Sequence, residues 1–150
     1  MPSVSEFFSA QHRACDRVFE QLEDAVSQDD WSQADVLYSR LRQDTLQHFV
    51  NEEEGLFPLF EEKTGMQAGP TQVMRGEHAE LRELLQRMGD AVQARDRDEI
   101  PGMAETFFLF LQQHNIKEEQ VLYPMADQAL QGSLQALSAR VPGFSASDRE

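Results

Sequence analysis

A single cysteine, Cys15, has no partner for an intrachain disulfide. Basic residues are scarce. Thirteen Lys and Arg stand against 27 Asp and Glu, and the formal charge of −14 repels nucleic-acid phosphates and acidic membrane surfaces, which sets both aside as partners. At 40% apolar and 27% charged residues, the chain is too polar for membrane spans. The first residues, MPSVSEFF, offer neither a basic start nor a long apolar run, so a cytoplasmic protein is expected. Alternating β patterns are also missing. The 150 residues suffice for one domain with a real core, and that domain is expected to be all-α.

Helical periodicity fills the space left by these absences. Ser3 and Glu6 have capping-box spacing, and Val4, Phe8, Cys15, Val18, Phe19, Leu22 and Val26 then recur at three and four, predicting a first helix from about Ser3 to Gln28. Asp30 can cap a second, whose stripe Leu37, Leu41, Thr45, Phe49, Leu56 and Phe60 runs until Thr64-Gly65. After the Gly69-Pro70 break, a third stripe follows in Val73, Met74, Leu81, Leu84, Leu85, Met88, Ala91 and Val92. A fourth comprises Met103, Phe107, Phe110, Leu111, Val121, Leu122 and Met125. The expected architecture is an up-down-up-down four-helix bundle over roughly 3–130. A short helix near Leu134–Ala139 then precedes Pro142-Gly143 and a fraying tail. Pro58 and Pro124 predict kinks or helix ends.

An offset of 66 residues aligns Asp24-Ala25-Val26 with Asp90-Ala91-Val92, Asp30 with Asp96, Leu56 with Leu122 and Pro58 with Pro124. The chain reads as one helical hairpin written twice. All four histidines obey the same offset, His12 with His78 and His48 with His114. In an antiparallel hairpin each pair falls level, and each ring interrupts an apolar stripe, so four imidazoles converge at one depth.

Glu52 and Glu118 lie four residues after His48 and His114, about 40° round a regular helix, and so enter the same layer. Glu53 and Glu119, at five residues and about 140°, are expected at the edge or in solvent unless the helix bulges. Two buried carboxylates and four imidazoles are costly to desolvate unless something pairs them, and a pair of cations does so. The implied site has two imidazoles on each ion, Glu52 and Glu118 bridging both, and a solvent-derived oxo or hydroxo bridge. Such a mixed N/O shell suits iron or manganese, with zinc chemically possible, and leaves an octahedral iron one position for a small ligand. A ferritin-like site would need Glu-x-x-His twice, but Ser9, Thr45, Arg75 and Leu111 stand three before the histidines.

His12, His48-x-x-x-Glu52, Glu77-His78-x-x-Leu81-Arg82 and His114-x-x-x-Glu118, with Leu56-Phe57-Pro58 and Leu122-Tyr123-Pro124 downstream, resemble the hemerythrin-like (HHE) cation-binding family over about 5–130. That resemblance implies a four-helix bundle around a non-haem di-iron centre that binds dioxygen or another diatomic such as nitric oxide, in storage, sensing or detoxification. The alternatives it carries are a di-iron oxidoreductase acting on oxygen or peroxide, iron storage or delivery, and repair of iron centres. The oxygen carriers place two histidines four apart on the third helix, whereas His78 here has Met74 and Arg82 at that spacing. The set of four histidines and two glutamates is similar to the iron-centre repair branch.

Around the six, Asp16 is either an acceptor for an imidazole or a solvated acid. Cys15, Phe57 and Tyr123 are expected to fill the core, with the Tyr123 hydroxyl reaching the site as the less favoured alternative. Arg82 is expected to pair on the surface with Glu83 or Glu77, the alternative being Glu118. The acidic runs at 52–54 and 61–62 are expected to face water, apart from Glu52.

Overall fold

The computed structural model describes residues 2–144. Helix α1 (Val4–Ser27) opens with the expected capping box, in which the Ser3 hydroxyl accepts from the Glu6 amide and the Glu6 carboxylate from the Ser3 amide. Asp30 caps α2 (Trp31–Val50), which passes through a π-helical turn (Asn51–Leu56) into α3 (Phe57–Thr64). Gly65 ends α3 in the left-handed conformation, at φ 75°. Pro70 sits in the first turn of α4 (Pro70–Gln93). Then α5 (Ile100–Lys117) passes through a second π turn (Glu118–Leu122) into α6 (Tyr123–Ala129), and α7 (Leu134–Arg140) closes the described chain. No strand occurs among the described residues, and no helix is long and apolar enough to cross a membrane. The expected fraying of the tail concerns 145–150, outside the described residues.

Helix α1 packs on α2 and α4 on α5, with α2 against α4 and α1 against α6, giving the four-helix bundle. The internal repeat extends to the backbone. Among the described residues, Asp29 and Arg95, 66 residues apart, are the non-glycine residues with positive φ, at 57° and 56°. Each is followed by an aspartate whose amide reaches back to the helix just ended, Asp30 to the Ala25 carbonyl and Asp96 to that of Ala91. Two apolar clusters form the core. One holds Val18, Phe19, Leu41, Leu85, Met88 and Phe107, and the other Val4, Phe8, Leu56, Phe60, Leu122 and Leu137. Three of the histidines lie between them in sequence, His12 between Phe8 and Cys15, His78 between Met74 and Leu81 and His114 between Leu111 and Leu122, while Phe49 beside His48 belongs to the first.

The π turns correct the expectation of regular helices through the site. Phe57 donates its amide to the Glu52 carbonyl and Tyr123 to that of Glu118, five residues back in both cases. Pro58 and Pro124 have no amide to offer the carbonyls of Glu54 and Gln120, so the helix widens there rather than ending. One extra residue in the turn rotates everything downstream. Val121 and Met125, expected in the fourth stripe, are 51% and 36% exposed, while Leu122 and Tyr123 are buried. Val73 is also exposed, because its neighbour Met74 takes the inward position at the start of α4.

Candidate metal centre

The six candidate residues all come together. His12 (α1), His48 (α2), His78 (α4) and His114 (α5) meet Glu52 and Glu118 from the two π turns, and none of the six is more than 5% exposed. They divide into two overlapping sets. His12 and His48 share Glu52 and Glu118, His78 and His114 share the same two carboxylates, and within each set the ligand atoms lie within 4.8 Å of one another. Glu118 turns Oε1 to His12 Nε2 (3.0 Å) and Oε2 to His114 Nε2 (3.3 Å). Glu52 turns Oε2 to His48 Nε2 (3.4 Å) and Oε1 to His78 Nε2 (3.0 Å). Each carboxylate thus spans both sets.

The outer nitrogens explain why the inner ones point inward. Nδ1 of His12 bonds Glu119 (2.6 Å), that of His78 bonds Glu53 (2.7 Å), that of His114 bonds Glu77 (2.8 Å) and that of His48 bonds the Gln11 side-chain oxygen (2.6 Å). All four acceptors take a proton from Nδ1, so a neutral ring presents its Nε2 lone pair to the centre. Glu53 is held in turn by both ends of the Arg82 guanidinium (2.9 Å each), Glu119 by Arg13 (2.9 Å) and Glu77 by Lys117. These contacts correct two expectations and decide an open alternative. Glu53 and Glu119 are not solvated acids, because the π turns bring them onto the histidine of the opposite hairpin. Arg82 pairs with Glu53 rather than with Glu83, Glu77 or Glu118. Asp16 accepts from the Gln112 amide and not from an imidazole.

Tyr123 also departs from the expected packing role. Counting five residues on from Glu118 across a π turn has the effect of counting four in an α-helix, and the hydroxyl arrives among the donors. It lies within hydrogen-bonding reach of Glu52 Oε2, of Glu118 Oε1 (2.8 Å) and of His12 Nε2 (3.1 Å), while its ring stacks on His12. Phe57, the matching residue of the first hairpin, stacks instead on His78, whose other face is covered by Phe49 at 4.0 Å. Cys15 is buried as expected. Burial pushes its thiol up to about 11, which makes it a poor nucleophile.

The electrostatics are those of a charge-dense centre. Burial alone would lower the His48 imidazole, but Glu52 and Glu118 overcome it and raise the ring to about 10. Glu118 is moved up by burial and further down by His114, His12 and His48, so it stays ionised well below the usual carboxylate range. Burial and the two carboxylates together push the Tyr123 hydroxyl well above its ordinary value. Burial opposes ionisation of Glu53, yet hydrogen bonds from His78 and Arg82 bring it down to about 2.

Four atoms decide what this arrangement can do. Glu52 Oε1, Glu118 Oε2 and the Nε2 atoms of His78 and His114 are buried with no hydrogen-bond partner among the described residues. His78 Nε2 and Glu52 Oε1 stand 3.0 Å apart, both buried and neither in a hydrogen bond, and a cation between them would satisfy both. The donor set therefore fits metal ions. A pocket of about 160 Å³ between α1 and α2 is lined by Gln11, Ala14, Cys15, Asp44, Gln47 and His48.

Comparison with known families agrees with the geometry: the hemerythrin HHE cation binding domain matches residues 3–126. No curated protein and no solved structure gives a significant match.

Proposed function

The chain belongs to the hemerythrin HHE cation-binding domain family, and from that footing we propose that it is a non-haem di-iron protein whose ligand is a diatomic molecule, dioxygen or nitric oxide. His12, His48, Glu52, His78, His114 and Glu118 would hold the two iron ions, Glu52 and Glu118 being the carboxylates that belong to both donor sets. The observation that carries this reading is the set of four buried ligand atoms at the centre of the bundle that lack a hydrogen-bond partner among the described residues. Iron is favoured over manganese or zinc by the family and by the mixed imidazole and carboxylate donors. When bound, the ions would supply redox chemistry toward a small ligand.

The protein's own contribution is to keep the four Nδ1 protons turned outward, to exclude bulk water with two apolar clusters, and to place the Tyr123 hydroxyl beside the donors. The setting is a single hemerythrin-like domain in the cytoplasm, acting in storage, sensing or detoxification.

The test is to load the protein with iron, reduce it anaerobically and mix it in stopped flow with dioxygen or, separately, nitric oxide. A persistent adduct spectrum is expected with at least one of the two. Rapid consumption of oxygen without an adduct would assign the site to an oxidoreductase. Surrender of iron to a metal-free acceptor without an adduct would assign it to storage or delivery.

A further inference from the structure

The two donor sets are not equivalent, and the difference comes from residues that the internal repeat has not kept alike. Gln11 and Glu77 occupy matching positions 66 residues apart, and each accepts the Nδ1 proton of the second histidine of its own hairpin. Behind His114 the acceptor is a carboxylate, itself held by Lys117. Behind His48 it is a neutral amide. A carboxylate in that place makes the imidazole a stronger donor to a metal, and its loss typically costs about 10–100-fold in affinity.

Two independent observations point the same way. In the set of His12 and His48, the Tyr123 hydroxyl already engages Glu52 Oε2 and Glu118 Oε1, so an ion entering there meets atoms that have a partner. In the set of His78 and His114, Phe57 holds the matching position and supplies no hydroxyl, and the four facing atoms have no hydrogen-bond partner among the described residues. The pocket between α1 and α2 is lined by His48 and its support Gln11, and His48 keeps 5% exposure against none for His78. His78 lies between Phe49 and Phe57 and is fully buried.

We infer that the position at His78 and His114 is a tight anchor that fills first, and that the position at His12 and His48 is weaker and exchangeable, with Gln11 and Glu77 as the residues that set the difference. This rests on the two-ion reading above and adds to it which ion is held and which can leave.

The experiment is an anaerobic titration of the metal-free protein with Fe(II) by calorimetry, with a crystal structure at one equivalent. Two separated steps are expected, with the first ion at His78 and His114. Glu77→Gln is expected to weaken the tighter step and Gln11→Glu to strengthen the weaker one. Each narrows the gap between steps about 10–100-fold. Because Gln11→Glu adds a charge at a half-buried edge rather than removing a support, it carries the test if Glu77→Gln fails to fold. Two equal steps, the reverse order of filling, or a gap that Gln11→Glu leaves unchanged would overturn the inequality while leaving the two-ion site standing. No uptake of iron at all would overturn the two-ion reading itself.

Discussion

The first hairpin, α1 with α2, and the second, α4 with α5, present the same donors at the same depth and differ in what supports them. Gln11 stands against Glu77, Phe49 against Asn115 and Phe57 against Tyr123. Asn115 is buried, with its side-chain oxygen lacking a partner among the described residues. The hairpins also brace each other crosswise, since Glu53 of the first holds His78 of the second and Glu119 of the second holds His12 of the first. Neither hairpin therefore carries a complete half-site. The two copies agree in the atoms that face the centre and in the crosswise acids Glu53 and Glu119, and differ behind His48 and His114, where Gln11 stands against Glu77.

The largest effect is expected where the hairpins share a residue. Glu118→Gln or Glu52→Gln should cost both ions, because each carboxylate reaches both sets and an amide cannot neutralise two cations. His48→Ala should cost mainly one. Metal content after anaerobic reconstitution distinguishes the two outcomes, and equal losses would mean that the sets are not separable.

Next in size are the crosswise acids. Glu53→Gln should weaken binding at His78 and Glu119→Gln binding at His12, each about 10–100-fold, since both acids orient a histidine without facing the centre. Calorimetric titration reads the two constants, and an unchanged affinity in Glu119→Gln would return that residue to the role of a solvated acid.

Uptake should also depend on pH. The metal-free His48 ring, raised to about 10, holds a proton at neutral pH that an ion must displace, so binding releases protons and strengthens as pH rises. Titrations in buffers of different ionisation enthalpy count those protons, and a count of zero would contradict a protonated His48.

The smallest expected effect lies at the π turns. A Cβ added at Gly55 would stand 2.5 Å from Val141 Cγ2, so Gly55→Ala should destabilise the metal-free protein by about 1–3 kcal/mol. Val121, its counterpart, is half exposed, and Val121→Ala should change stability by less than about 0.5 kcal/mol in urea unfolding.

Much of this architecture is legible in the sequence. The helix boundaries follow from caps and breakers such as Ser3, Asp30 and Gly65, and the six central residues follow from the 66-residue offset and the spacing of His to Glu. The outer acids, Tyr123 and the downstream face of α6 do not follow, because a regular period of 3.6 residues cannot register a π turn. Glu53, Glu119, Val121 and Tyr123 all lie in or just after such a turn, and the extra residue moves each by about one position round the axis. A signal was present in the repeat itself. Both copies keep two consecutive glutamates after the histidine, followed by an aromatic and a proline, and a regular helix has use for only the first glutamate. Gln11 carries no such signal, since a single glutamine on a helix face is common.

The most direct measurement is the iron content of the protein after anaerobic reconstitution and removal of loosely bound metal, taken together with thermal unfolding of the metal-free and loaded forms. About two ions per chain and a higher melting temperature for the loaded form are expected, because the ions bind the folded cluster and not the open chain. No bound iron, with identical melting temperatures, would contradict the assignment of the buried histidines and glutamates as a two-cation site.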